Sequence, residues 1–193
     1  MSNAFVSNNG LKWNVDKLNK VFPVADGTVS GTGVTVANSI APVQYKTFTV
    51  TNLSVPTTDN TTAGAQGSQK IYTFPEGLVS IVGASTNLTI SKVGSNLTAT
   101  AAVVGSLGSV VVSSADSTLT STEANIIPST VGTLTAGVGS IKGESTGSVT
   151  LDGTTTPAEV YLNFAVPDAG STGNDALLVN GTVTIGFVQL GDN

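Results

Sequence analysis

EVYLNFAV at residues 159–166 and LLVNGTVTIGFVQL at residues 177–190 carry the clearest structural pattern in this chain of 193 residues. In the first run apolar side chains occupy every second position, and in the second run Thr and Asn separate the apolar residues. Successive side chains of a β-strand point to opposite faces, so this period of two predicts strands with one buried face. The predicted core positions are Val160, Leu162, Phe164, Val166, Leu177, Val179, Val183, Ile185 and Phe187.

Similar short runs recur along the chain. In KTFTVTNLSV, residues 46–55, Phe48 and Val50 fall on one face and threonines on the other, as in a strand with one exposed face. Polar residues 56–68 predict a long loop, while residues 87–93 and 96–104 predict a hairpin. Many short strands separated by turn residues predict an all-β fold, an antiparallel β-sandwich of jelly-roll-like kind, over residues 45–193.

Two segments depart from the strand pattern. Residues 120–127 (TSTEANII) begin with a capping-box pattern, Thr120 followed by Glu123, and Pro128 ends the run, which predicts one short helix of about two turns. Residues 1–44 are rich in turn residues and lack a sustained period. They predict an extended N-terminal arm with a short strand at residues 33–37 and one helical turn at residues 16–21.

Charge is sparse and negative. Charged residues make up 10% of the chain and the net charge is −5, whereas an average soluble protein has about 25% charged residues. All seven basic residues are lysines, so the arginine fork that favours phosphate and guanine contacts is absent. We therefore expect no nucleic-acid partner. No apolar run has the length of a membrane helix and the first ten residues lack a signal-peptide pattern, so we expect no membrane partner and synthesis in the cytoplasm.

The residue types that carry most enzyme chemistry are missing or scattered. The chain has no histidine and no cysteine, which removes Ser-His-Asp and Cys-His catalysis, disulfides and the usual zinc sites. Ser91 and Lys92 could suggest a Ser-Lys catalytic pair, but neighbours on a predicted strand point to opposite faces, so we expect them to be ordinary exposed residues. We expect no enzyme activity, no cofactor and no metal. The weaker candidates are Glu76, Asp152 and Glu159 as glycosidase carboxylates, and Asp168, Asn174 and Asp175 as calcium ligands.

Four segments together resemble a known family. They are FPEGLVSIVG (residues 74–83), STEANIIPST (121–130), VYLNFAV (160–166) and LVNGTVTIGFVQLGD (178–192). In these segments the chain resembles the small head decoration, or cement, proteins of tailed bacteriophages, particularly marine ones. The resemblance spans residues 70–193. It lies in segments of the structural framework and not in a chemical motif, so it implies no particular binding residue.

This resemblance implies a β-rich protein on the outside of an assembled capsid, made in the host cytoplasm. Its implied partners are the major capsid protein and further copies of itself, as a trimer at threefold positions. Residues 1–20 hold three lysines and one aspartate, a mildly basic arm on an acidic protein. We interpret this arm as the contact with the shell, through Lys12, Trp13, Lys17 and Lys20. Ordinary solvated lysines and a packed tryptophan are the plainer reading.

Two other structural roles remain open. Thr/Ser/Gly-rich β-chains are also typical of phage fibre or receptor-binding domains and of adhesin domains that bind a host surface. A sugar-binding version is expected to show clustered aromatic residues or an acidic calcium loop, and a fibre stalk a periodic repeat. The third role, a major capsid protein, fits poorly because the shell fold of tailed phages contains longer helices.

Overall fold

The computed structural model describes residues 28–38, 43–113 and 118–191. In these ranges the chain forms short and long strands joined by turns, with two 3-10 turns at Ser121–Glu123 and Asp168–Gly170. The strands are β1 Thr28–Val29, β2 Val34–Asn38, β3 Gln44–Asp59, β4 Ala65–Thr73, β5 Gly77–Lys92, β6 Ala102–Gly108, β7 Ile127–Thr133, β8 Val138–Glu144, β9 Val149–Gly153, β10 Glu159–Val166 and β11 Asp175–Gly191.

The strands form two antiparallel layers. Sheet A has the order β7-β6-β10-β4, with β1 beside β4. Sheet B has the order β3-β11-β5-β8, with β2 beside β3 and β9 beside β5. The end of β3 also pairs with the start of β4, at Thr58 opposite Gln66, so the layers are continuous at this corner. The predicted all-β antiparallel sandwich is confirmed.

The core lies between the two sheets. The predicted inward positions of β10 and β11 are all buried, from Val160 on β10 to Phe187 on β11. Four aromatic rings contact one another in a row through the core, tilted or edge to face, with centroids 5.3 Å apart for Phe48 and Tyr72, 4.9 Å for Tyr72 and Phe74, and 4.9 Å for Phe74 and Phe187. The alternation at the end of the sequence therefore identified the buried faces of two central strands.

Two predicted connections were wrong. The predicted loop at 56–68 is mostly strand, because β3 runs to Asp59, β4 begins at Ala65, and only a tight turn separates them. Residues 87–92 do not form a hairpin with residues 96–104. They are the end of β5 and pair with β11 on one side and β8 on the other.

The predicted two-turn helix is a single 3-10 turn at Ser121–Glu123, and β7 already begins at Ile127. The Glu123 half of the capping box is present, since Oε2 of Glu123 accepts a hydrogen bond from the Thr120 amide at 3.4 Å. The helix stops there because its carbonyls have other partners. The Thr122 carbonyl accepts from the Ser109 amide at 2.9 Å, and the Glu123 carbonyl accepts from the Ser106 hydroxyl at 2.7 Å.

Part of the predicted arm belongs to the sheets. The short strand predicted at residues 33–37 is confirmed as β2, which pairs with β3, and β1 pairs with β4. The helical turn predicted at residues 16–21 lies outside the described residues. Within the described ranges, no helix has the length and apolar character needed to cross a membrane.

Candidate functional site

The outer face of sheet A carries a polar row that binds a segment of the chain itself. Asn163 on β10 lies directly opposite Ser68 on β4 and Ser106 on β6, and its side chain is fully buried. Above this row runs an irregular stretch, residues 109–113 and 118–126, which we call the covering segment. Asn163 and Ala165 alternate with the core residues and so point outward, yet both are buried beneath this segment.

Hydrogen bonds hold the covering segment to that row. The Asn163 amide nitrogen donates to the carbonyls of Val110 at 2.9 Å and Glu123 at 2.8 Å. Its oxygen accepts from the Ser68 hydroxyl at 2.6 Å, and Ser68 accepts from the Val112 amide at 2.9 Å. These contacts give the irregular backbone the partners that a buried amide or carbonyl requires.

Packing completes the covered face. A Cβ added to Gly108 would lie 2.2 Å from the Glu123 carbonyl oxygen, so the covering segment lies directly on this glycine. A small apolar cluster also joins the segment to sheet A; it contains Val104, Val112, Leu119, Ala124 and Ala165.

The outer face of sheet B is open and rich in hydroxyl groups. Its outward positions form rows across neighbouring strands, one of which runs from Thr35 through Thr49, Thr182 and Asn87 to Lys142. In the adjacent row the Thr47 and Thr184 hydroxyls are 3.1 Å apart. We call this surface the hydroxyl face; it consists of Thr35, Thr47, Thr49, Ser85, Asn87, Thr89, Ser140, Asn180, Thr182 and Thr184.

A cleft of about 260 Å³ lies at one end of the hydroxyl face. Its row consists of Tyr45, Gly186 and Gly83, side by side on β3, β11 and β5. The Tyr45 ring is 52% exposed and lies over Gly186, where an added Cβ would meet the ring at 2.7 Å. Glu144, on the neighbouring row, also lines the cleft.

A second cleft, of about 440 Å³, contains two of the predicted carboxylates, Asp152 and Glu159. The ammonium group of Lys70 is 2.8 Å from Glu159, and both this group and the Tyr161 hydroxyl donate to it, which lowers the pKa of Glu159. The Thr154 hydroxyl and amide donate to Asp152 and lower its pKa as well. A glycosidase acid needs a raised pKa, so this pair does not supply one. Glu76, the third candidate, does not line this cleft.

Two of the three predicted calcium ligands, Asn174 and Asp175, have side-chain hydrogen-bond partners within the protein, and the exposed Asp168 begins a 3-10 turn. Burial alone would raise the pKa of Asp175, but amides that donate to its carboxylate, including those of Leu97 and Gly94, lower it instead. Asn174 accepts from the Asp59 amide at 2.8 Å. Within the described ranges, no group of three or more acidic side chains could hold a metal ion.

Of the other residues singled out in the sequence, one pair lies in the described part of the chain and one group lies outside it. The Lys92 ammonium donates to the Gly94 carbonyl at 2.6 Å, beside the end of β5, and Ser91 lies on the outer face opposite Leu178. The proposed shell contacts Lys12, Trp13, Lys17 and Lys20 lie outside the described residues. Neither the covering segment nor the Tyr45 cleft was predicted, because each depends on residues far apart in sequence; the alternating threonines at residues 47–51 were the one signal for the hydroxyl face.

Comparison with known proteins gives little. No family model matches the sequence, and no curated protein matches it. Among solved structures, the chain has a weak similarity to the crystal structure of the enzymatically active domain of tailspike protein 4 of bacteriophage CBA120, at 12% identity and a TM-score of 0.25. The match covers 86% of this chain and 20% of that one. A likeness at this level carries no inference about this chain.

Proposed function

We propose that this protein is a structural virion protein of a tailed bacteriophage, a decoration protein that binds the outer surface of the assembled head and stabilises it. One observation carries the proposal: the segments that resemble decoration proteins supply strands to both sheets. They contribute to β5 and β11 of sheet B, to β7 and β10 of sheet A, and to the 3-10 turn before β7. The resembling segments thus include strands of both layers of the sandwich.

Physical properties of the chain agree with this role. The long strands β3 and β5 each pair with β11, on its two sides, over most of their length, which gives a rigid body. Weak contacts become firm when several linked copies bind one lattice, as a trimer that bridges copies of the major capsid protein would do. A protein that binds assembled heads and not unassembled subunits stabilises the assembled state by mass action.

We place the contact with the head in the arm, at Lys12, Trp13, Lys17 and Lys20. Deletion of residues 1–20 should leave the sandwich folded, because the described strand ladders begin at Thr28, and should weaken binding to the head. Co-sedimentation of the purified protein with undecorated heads measures the binding, and the thermal midpoint checks the fold. A matched control is Lys142→Ala, which removes an exposed lysine from sheet B. If the deleted protein binds as tightly as the full chain, the arm is not the contact.

The copy number per particle tests the function itself. Quantitative mass spectrometry of gradient-purified virions should find the protein at a level comparable to that of the major capsid protein. A handful of copies would assign it to the tail or a fibre, and its absence from virions would refute the proposal.

The second candidate is a receptor-binding or adhesin-type domain that binds a host surface. The observation that favours it is the open hydroxyl face, which ends in a cleft with one exposed aromatic ring. This function predicts few copies per particle and direct binding of the purified protein to host cells, whereas a decoration protein is abundant and binds heads.

A further inference from the structure

We infer that the Tyr45 cleft is a binding site for a neutral glycan, which receives one pyranose ring. The evidence for this site is the geometry of sheet B, and it is independent of whether the protein binds heads. Its elements are the Tyr45 ring, which lies on Gly186, the open surface above Gly83, and a polar wall formed by Glu144 and neighbouring hydroxyls.

The two glycines create room where the rest of the face is covered by side chains. Gly186 has no Cβ, and this allows the Tyr45 ring to lie on the sheet. Above Gly83 the surface is open, because an added Cβ would find its nearest neighbour, the Ser145 hydroxyl oxygen, 4.0 Å away. The exposed ring and the open floor are therefore adjacent in one row, on strands whose spacing is about 4.8 Å.

The wall of the cleft offers both acceptors and donors of hydrogen bonds. Glu144 is exposed and, when ionised, only accepts. Ser145 accepts from the Ala84 amide at 2.9 Å, so its own hydroxyl hydrogen can be donated to a ligand. Ser85 and Thr184 add two more hydroxyls. A ligand that fits must itself donate and accept.

These features select one class of ligand. A pyranose has an apolar C–H surface, which packs against an aromatic ring, and hydroxyls at its rim that pair with the wall. An anionic ligand would be repelled by Glu144 and by the net charge of −5. A purely apolar ligand would desolvate Glu144 without replacing its hydrogen bonds. The volume of about 260 Å³ lies below the range of about 300–1,000 Å³ that is typical of drug-sized ligands, which suits a single ring.

Ligand-observed NMR on the full chain tests the site. The neutral probes are methyl β-glucoside, methyl β-galactoside and methyl α-mannoside, and the anionic probe is the methyl glycoside of N-acetylneuraminic acid. At least one neutral probe should bind with a dissociation constant on the order of 1 mM, and the anionic probe should not bind. Tyr45→Ala should weaken binding about tenfold, whereas Tyr45→Phe should keep it because the ring surface remains. Glu144→Gln should weaken it by a smaller factor.

Val131→Ala is the matched control, because Val131 is 63% exposed on sheet A and should not affect binding. Thermal midpoints confirm that each variant is folded. The inference is overturned if none of the neutral probes binds, if the anionic probe binds as well as they do, or if Tyr45→Ala binds as tightly as the unaltered chain. Tyr45→Ala should co-sediment with heads normally, so failure of this site and failure of the proposed function give different results.

Discussion

The two outer faces of the sandwich have the same alternation of side chains along their strands, but one face is covered by the chain and the other is exposed within the described residues. On sheet A, outward residues are covered by a segment of the chain, and Asn163 is fully buried there. On sheet B, the hydroxyl face has no such cover within the described residues, and Thr49, Thr182 and Asn87 are exposed. The difference lies in the chemistry of the outward positions.

An irregular segment can cover a sheet only if the sheet satisfies its backbone groups. Sheet A provides this through small residues and one amide: Gly108 lets the backbone approach, and Asn163 pairs with two carbonyls. On sheet B the outward hydroxyls of Thr47 and Thr184 pair with each other. On sheet A, Gly108 and Asn163 thus accommodate the covering segment, whereas the hydroxyl face has no such cover within the described residues.

Removing the amide should have the largest effect. Asn163→Ala removes the hydrogen bonds that the fully buried Asn163 donates to the carbonyls of Val110 and Glu123 and the one that it accepts from Ser68, and we expect the free energy of unfolding to fall by about 3 kcal/mol. Urea denaturation measures this loss, and hydrogen exchange should increase in the covering segment. Asn87→Ala is the control on the open face, where an exposed amide should change stability by less than about 0.5 kcal/mol. Equal losses in the two variants would contradict the comparison.

A pair of glycine substitutions tests the same contrast by steric contact. Gly108→Ala should cost about 2 kcal/mol, because its Cβ would lie 2.2 Å from the Glu123 carbonyl oxygen and the covering segment would have to move. Gly83→Ala on sheet B should be close to neutral, since its Cβ would meet nothing nearer than 4.0 Å. Thermal and urea midpoints measure both. A neutral Gly108→Ala would mean that the segment does not rest on sheet A.

Sequence alternation identified the strands and their inner faces but could not distinguish the two outer faces. It placed Asn163 and Ala165 opposite the core residues of β10, and both do point outward. Both residues are buried because the covering segment lies on them. This segment comes 40 to 53 residues earlier in the chain, where Asn163 donates to the carbonyls of Glu123 and Val110. A period of two contains no information about such a cover.

The wrong connections have a similar cause. Residues 56–68 were predicted as a loop because they are polar, yet Thr57 lies opposite Asp175 in a ladder whose register is set by the apolar part of β3. Residues 87–93 were predicted to pair with the nearby residues 96–104. The strand β5, which contains most of them, pairs with β11 instead, where Leu88 lies opposite Gly181. Local patterns favour local partners, whereas the long strands of this fold pair across most of the sequence. For the same reason the Tyr45 cleft, whose lining comes from β3, β5, β8 and β11, had no sequence signal.

The smallest expected effect concerns the stability of the protein at alkaline pH, through Tyr161 on sheet A. Burial and the hydrogen bond to Glu159 raise the pKa of Tyr161 to about 12, whereas an unfolded tyrosine titrates near about 10. Between these values the unfolded chain loses a proton that the folded chain keeps, so this contribution to stability is complete below about pH 10 and is lost as pH rises to about 12.

Tyr161→Phe should therefore flatten the decline of stability above about pH 10, as measured by urea midpoints at a series of alkaline pH values. Tyr45→Phe is the matched control, because it makes the same chemical change on the open face of sheet B. All other titratable groups are the same in the two variants, so the difference between the variants reports on Tyr161. If both variants show the unaltered slope, the Glu159–Tyr161 pair does not persist in solution, and the side of sheet A beside the covering segment is as open as sheet B.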